Sequence, residues 1–360
     1  MNREEARAAF PVLERVAFLN AGSFGPLART TVGAMQERLQ RDLEEGRSGG
    51  RFMDGATAVR DGIRERLAAL IAVPPANLAL TTSTTRGCNI AIAGLRLQPG
   101  DEVVTTDSEH FGLVGPLHTS GATVRVARIL DRAPEETYDV IAAEIGSRTR
   151  LLALSHVNWL TGHRLPLEEL RENFDVPLLV DGAQSVGAIS VDASGYDFYT
   201  VSGQKWLCGP DTTGALYVRD PEALEVATPS YFAQAEYEPE GRYTPKEGAA
   251  RFDSDWLPPA SLAGLTAAVD AAPAWRYEAA EEMSARCRTL LLEAGLEVVT
   301  EPGHSTLVSF VPHGDPAETA AAAYEQGVVI RDLPRTPWLR ASCGYWTNEE
   351  DLERLVAALR

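Results

Sequence analysis

The chain has 360 residues, 44% of them hydrophobic, with 33 basic against 51 acidic side chains and a formal net charge of −18. A chain of this length can bury a substantial core and divide into more than one domain. An acidic surface repels phosphate backbones and anionic lipid, so nucleic acid and membrane partners are disfavoured.

The first residues, through Asn20, contain no long apolar h-region, so no signal peptide is expected. No stretch approaches the roughly 20 apolar residues that span a bilayer. Cys88, Cys208, Cys287 and Cys343 are scattered, without the CxxC spacing of a zinc or redox site, and fit a reducing compartment with no disulfide framework. A soluble cytoplasmic protein with no metal site is the expectation.

From there the chain alternates short apolar runs with segments of helical period, the mark of an α/β fold. Strands are predicted at 78–82, 102–105, 123–127, 150–155, 177–180, 198–201 and 215–218. Most are continuous rather than alternating, which predicts a mostly parallel seven-stranded sheet covered by helices on both faces. The intervening helices are predicted at 56–71, at 87–95 behind a Ser/Thr cluster that can cap it, at 134–145 and at 167–173. The polar, aromatic stretch 227–250 has no period and reads as a long ordered loop or linker. One or two helices follow at 262–292, then strands at 296–300 and 306–311. A helix at 317–326, strands at 328–331 and 338–342 and an amphipathic helix at 348–359 complete a smaller α+β unit. The expected division is a large domain of residues 16–250 and a small one made of 1–15 and 251–360.

The residues with chemistry sit at predicted strand ends. Leu178-Leu179-Val180-Asp181 delivers a carboxylate at the sheet edge where α/β proteins bind ligands. The next strand ends in Ser202-Gly203-Gln204-Lys205. A carboxylate that keeps a pyridine nitrogen protonated and an amine that forms a Schiff base are what pyridoxal 5′-phosphate (PLP) requires. Thr81-Thr82-Ser83-Thr84-Thr85 joins a strand to a helix and offers hydroxyls and backbone N–H groups to a phosphate. His110 lies just beyond another strand, where an imidazole can stack on an aromatic ring. Arg340, in a small-domain strand, has the fork that grips a carboxylate in bidentate fashion.

Together these blocks resemble the fold-type I PLP enzymes of the class V aminotransferase group, over nearly the whole chain. That group includes cysteine desulfurases, isopenicillin N epimerases and C–S lyases. The stretches Thr85–Ile90, Leu154-Ser155-His156, Trp159, Thr161-Gly162 and 340–355 are most similar to cyst(e)ine C–S lyases and related sulfur-processing enzymes. The resemblance implies Lys205 as the Schiff-base lysine and Asp181 as partner of the pyridinium. It implies Gln184 on the phenolic oxygen and His110 stacked on the ring, and it gives Thr84, Thr85, Ser202 and Gln204 to the phosphate. Arg340 would take the substrate α-carboxylate, with Asn20 and Gly22 lining the entrance. It also implies a homodimer with active sites near the interface.

Three positions depart from that pattern. Gln204 stands where many relatives have His. Trp159 stands where desulfurases often carry Asn, with Asn158 beside it to supply the hydrogen bonding to the cofactor. Arg251-Phe252-Asp253-Ser254-Asp255 lacks the threonine that relatives extend across a dimer interface. Desulfurases also need a cysteine on a loop ahead of the carboxylate-binding arginine, and 331–337 contains none. The leading expectation is a C–S lyase that carries out β-elimination on cysteine, cystine or an S-substituted cysteine, giving a thiol or persulfide, pyruvate and ammonia. The alternative is a class V aminotransferase or decarboxylating deaminase. A cysteine desulfurase, or a PLP-binding module without turnover, stands further off.

Overall fold

The seven apolar runs form one sheet. Its strands are β1 (Leu78–Thr81), β2 (Glu102–Thr106), β3 (Thr123–Ala127), β4 (Thr149–Ser155), β5 (Leu178–Asp181), β6 (Phe198–Ser202) and β7 (Gly214–Val218), in the spatial order β1-β7-β6-β5-β4-β2-β3. β7 runs antiparallel to both neighbours and the other pairs are parallel. The computed structural model describes every residue from Met1 to Arg360.

Residue parity sorts the side chains of these strands between two cores. Leu152, Leu154, Leu178, Val180, Tyr199 and Val201 pack into the core on one face of the sheet. Leu151, Ala153, Leu179 and Phe198 pack on the other, against Cys88 and Ile90–Ile92 of helix α3 (Thr84–Gly94) and Leu113 and Leu117 of helix α4 (Phe111–Thr119). Both faces are therefore apolar, as continuous strands require. Asp181 shares its parity with Leu179 and so faces α3, whose N-terminus lies at the same end of the sheet. The chain moves outward from β2 to β3 and then returns to β4. The topological switch thus falls between β2 and β4, where ligands of open α/β sheets bind.

Two long helices precede the sheet, α1 (Arg29–Glu45) and α2 (Gly49–Leu70). α1 has no sequence signal because it is polar almost all round, with only Thr31 and Arg38 buried. Helix α5 (Pro259–Ala271) lies along both, placing Leu262 and Leu265 in the large core. The stretch 227–250 is not a plain loop: Gln234–Tyr237 and Tyr243–Pro245 pair as an antiparallel hairpin. The smaller unit is a four-stranded sheet of β8 (Glu297–Val298), β9 (Leu307–Val311), β10 (Arg331–Asp332) and β11 (Leu339–Ser342), in the order β8-β9-β11-β10. Helices α6 (Arg276–Glu293) and α7 (Glu349–Ala358) cover it. Near the N-terminus, Ala17–Phe18 pairs with Val328–Val329, and Asn20 bridges Ser342. Ala17 and Phe18 thus form a two-stranded sheet of their own with 328–329, Asn20 alone meets the small sheet, and α5 packs along α1 and α2.

Asp253 braces the end of β1 ahead of the turn into α3. Its carboxylate accepts from Arg60 at 3.0 Å, from Arg64 at 2.8 and 3.1 Å and from the backbone N–H of Leu80 at 2.8 Å. All of this is buried or nearly so, and Leu80 lies in β1, just ahead of the turn into α3. Asp253→Ala leaves two guanidinium groups without their anion. It is expected to destabilise the fold by about 3 kcal/mol, read from the urea midpoint. A shift under about 1 kcal/mol would refute this account.

Candidate active site

The C-terminal ends of β2, β4, β5 and β6 and the N-terminus of α3 converge on one site. At β5, Asp181 is buried. Its Oδ1 accepts from the Ala183 N–H at 3.0 Å and the Thr200 hydroxyl at 3.2 Å, while Oδ2 has no protein donor. Gly87 of α3 makes the close helix–sheet approach possible, since a Cβ there would lie 2.9 Å from Thr200 Cγ2. Lys205 follows β6. Its Nζ has no hydrogen bond or ion pair in the protein, and burial pushes its pKa down to about 8. Asp181 opposes that shift, whereas Arg340 and Arg331 add to it. The amine and the carboxylate that the sequence places in one site therefore lie within electrostatic reach of each other.

Ser83 caps α3 by accepting from the Arg86 N–H at 3.1 Å, which leaves the N–H groups of Thr84 and Thr85 at a free helix start. Ser202 donates its hydroxyl to Gln204 Oε1 at 2.8 Å, so these two form one polar unit at the end of β6. His110 caps α4, its Nδ1 accepting from the Gly112 N–H at 3.1 Å. A neutral ring with Nδ1 as acceptor carries its proton on Nε2. Burial and then Lys205 lower the pKa of this histidine, so the neutral form dominates near pH 7. Gln184 is a hub: it donates to Gly22 O at 2.9 Å and accepts from the Trp206 indole at 3.0 Å.

Asn158 lies in the loop just after β4. Its Oδ1 accepts from the N–H groups of Leu160 and Thr161, at 2.9 and 3.1 Å, and its amide donates to Ser108. Its oxygen shapes the loop after β4 and is not available to the site. Glu109, absent from the sequence reading, ties β2 to β4 by accepting from the Ser155 N–H at 3.1 Å, from the Ser155 hydroxyl and from Thr106 at 3.2 Å. Burial pushes its pKa up to about 7, with Asp181 adding to the shift.

The small sheet closes the site. Arg340 on β11 is completely buried; Nη1 donates to Trp159 O at 2.7 Å, while Nε and Nη2 have no partner. Gly22 makes room for it, since a Cβ there would stand 2.6 Å from Nη2. Directly across the antiparallel ladder is Arg331, which the sequence reading left out. It donates to Ser23 Oγ at 2.9 Å, and Ser23 donates in turn to Asn20 Oδ1 at 2.8 Å. Asn20 is thus linked to Arg331 through Ser23. The signal for Arg331 was its place one strand before Arg340, but the cross-strand register that brings the two together is not visible in a sequence.

The chain belongs to the aminotransferase class-V family, whose model matches residues 18–355. Among particular proteins, it is 29% identical to an isopenicillin N epimerase of Streptomyces clavuligerus, over 99% of this chain and 97% of that one. It is 32% identical to a probable cysteine desulfurase of Pseudomonas aeruginosa, over 84% of this chain and 82% of the relative. Its fold superposes on the cystine C–S lyase C-DES in complex with its reaction product cysteine persulfide, with a TM-score of 0.90, 28% identity and coverage of 97% and 98%. A lysine-to-alanine mutant of C-DES carries glycine covalently linked to its PLP cofactor and superposes at a TM-score of 0.91.

Proposed function

We propose that this protein is a PLP-dependent C–S lyase whose preferred substrates are S-substituted cysteines with a second acidic group, such as cystine. The carrying observation is the pair Arg331 and Arg340, side by side on one wall, with two N–H groups of Arg340 unpaired in a buried position. Two cations at that spacing suit two carboxylates better than one.

The residues fit the cofactor. Asp181 Oδ2 is free to hold a proton on the ring nitrogen, Lys205 Nζ is free to bind the aldehyde carbon, and the open helix start at Thr84 and Thr85, with Ser202 and Gln204, suits the phosphate. When bound, PLP supplies an electron sink for charge that develops at the substrate α-carbon. Arg340 fixes the α-carboxylate and so turns the Cα–H bond toward Lys205. Lys205 Nζ then takes the α-proton, helped by surroundings that disfavour its charged form. His110, neutral with its proton on Nε2, can offer a departing thiolate a hydrogen bond, and the proton that Lys205 takes from Cα can pass to that sulfur. Water adds in the net reaction, and the products are a thiol or persulfide, pyruvate and ammonia.

No cysteine is placed for persulfide relay. All four thiols are buried, and burial raises the pKa of Cys88 and Cys208. This supports elimination over desulfuration, which needs an exposed thiolate. The test is incubation of holoenzyme with L-cystine, S-methyl-L-cysteine and L-cysteine without a keto acid. Pyruvate is expected, fastest from L-cystine. Strict dependence on an added keto acid would establish an aminotransferase instead, and alanine as the product would establish a desulfurase.

A pH dependence follows from Lys205. Uptake of PLP by apoprotein needs the neutral amine, so its rate should climb up to about pH 8 and then level off. A climb continuing toward the ordinary lysine value of 10.5 would contradict the burial. The sign for stability is consistent. A lysine whose folded pKa is lowered penalises the fold while charged, so this residue's contribution to apoprotein stability improves as pH rises from about 8 to 10.5.

A further inference from the structure

The loop after β4 contributes two consecutive polar side chains, and they divide their work. Asn158 uses its oxygen on the loop backbone, whereas Trp159 Nε1 is buried and has no partner. Trp159 also meets three site residues from three different elements. Its carbonyl accepts from Arg340 Nη1 at 2.7 Å. Its ring lies under Arg331, with Cζ 5.8 Å from the ring centroid. His110 approaches edge-on, the centroids 5.4 Å apart at 86°. Arg340 Nε and Nη2 and Trp159 Nε1 are three buried donors without acceptors on adjoining residues. Buried donors are normally paired, and a group of orphans marks the place of an absent acceptor. A neutral indole N–H adds a hydrogen bond for a carboxylate without adding a further buried charge, and its π-face attracts a guanidinium.

We propose that Trp159 is a specificity-determining residue: its indole N–H takes the substrate α-carboxylate together with Arg340, and its ring holds Arg331 in place for the second acidic group. The role of the ring rests on the two-carboxylate reading above; the role of the N–H does not.

The test uses holoenzyme and two amino acids that have no leaving group. L-norleucine carries one carboxylate, and L-2-aminosuberate carries two, spaced like those of cystine. Dissociation constants are read from the change in cofactor absorbance on titration, so no turnover is needed. Trp159→Phe keeps the ring and removes the N–H; it is expected to weaken both ligands by about tenfold and leave their ratio unchanged. Trp159→Leu removes both features and should weaken L-2-aminosuberate by a further factor of about five relative to L-norleucine. Cofactor content and far-UV circular dichroism establish that each variant is folded. Wild-type affinity in the Phe variant would overturn the N–H assignment. An unchanged ligand ratio in the Leu variant would overturn the role of the ring. If the wild-type protein shows no preference for L-2-aminosuberate, the two-carboxylate reading fails and takes the ring's role with it, while the N–H assignment is judged by the Phe variant alone.

Discussion

Lys205→Ala should lose the visible absorbance of lysine-bound PLP and lower turnover of L-cystine by at least about 10³-fold, because one residue supplies both the covalent anchor and the general base. The fold should survive. Lys205 Nζ has no hydrogen bond or ion pair to lose, and its buried ammonium is disfavoured in the native state at neutral pH. Apoprotein of the alanine variant should therefore melt no lower than wild type at pH 7. Lys205→Arg separates charge from chemistry: it retains a cation, cannot deprotonate near neutrality and should be as inactive as the alanine variant. Absorption spectroscopy, a pyruvate assay and thermal melts check the three statements. A Lys205→Ala protein with the wild-type absorbance and turnover would remove the basis of the proposed mechanism.

What could be read without coordinates follows from the range of the forces involved. The inner strands of the large sheet are buried on both faces, so local apolar runs such as Leu178–Asp181 and Phe198–Ser202 announce it, whereas the edge strand β3 is partly exposed. The positions of Asp181 at the end of β5 and of Lys205 just beyond β6 were legible because each follows such a run. The rest depends on contacts between remote segments. Arg331 faces Arg340 only through the β10–β11 register, and the N-terminal Asn20 and Ser23 reach Arg331 across 308 positions in the case of Ser23. That Asn158 Oδ1 serves the Leu160 and Thr161 N–H groups was not legible, because residue type alone does not tell which backbone groups a side-chain amide will satisfy. The hairpin at 234–245 has largely exposed strands with no apolar alternation, so the periodicity that reveals other strands is missing. Asp253 reads as a defective interface motif in sequence, yet it pairs with two arginines of α2.

Arg340→Met should make the protein more stable and nearly inactive at once. The native guanidinium is wholly buried, makes a single hydrogen bond, to Trp159 O, and has no carboxylate partner; burial and the neighbouring Arg331 lower its pKa. Such a charge opposes folding until an anion arrives. Methionine fills a similar length with no charge, so the apoprotein should gain about 1 kcal/mol or more in unfolding free energy, read from urea titration. Meanwhile kcat/KM for L-cystine should fall by about 10³-fold, because a buried charged hydrogen-bonding partner of the substrate has been removed. Arg340→Lys keeps the charge but not the fork, and should lie between the two in activity with no gain in stability. Ligand-induced stabilisation completes the argument: L-2-aminosuberate should raise the melting temperature of wild-type holoenzyme and leave that of Arg340→Met nearly unchanged. A methionine variant that is less stable than wild type yet still turns over L-cystine would show that Arg340 serves the fold and not the substrate.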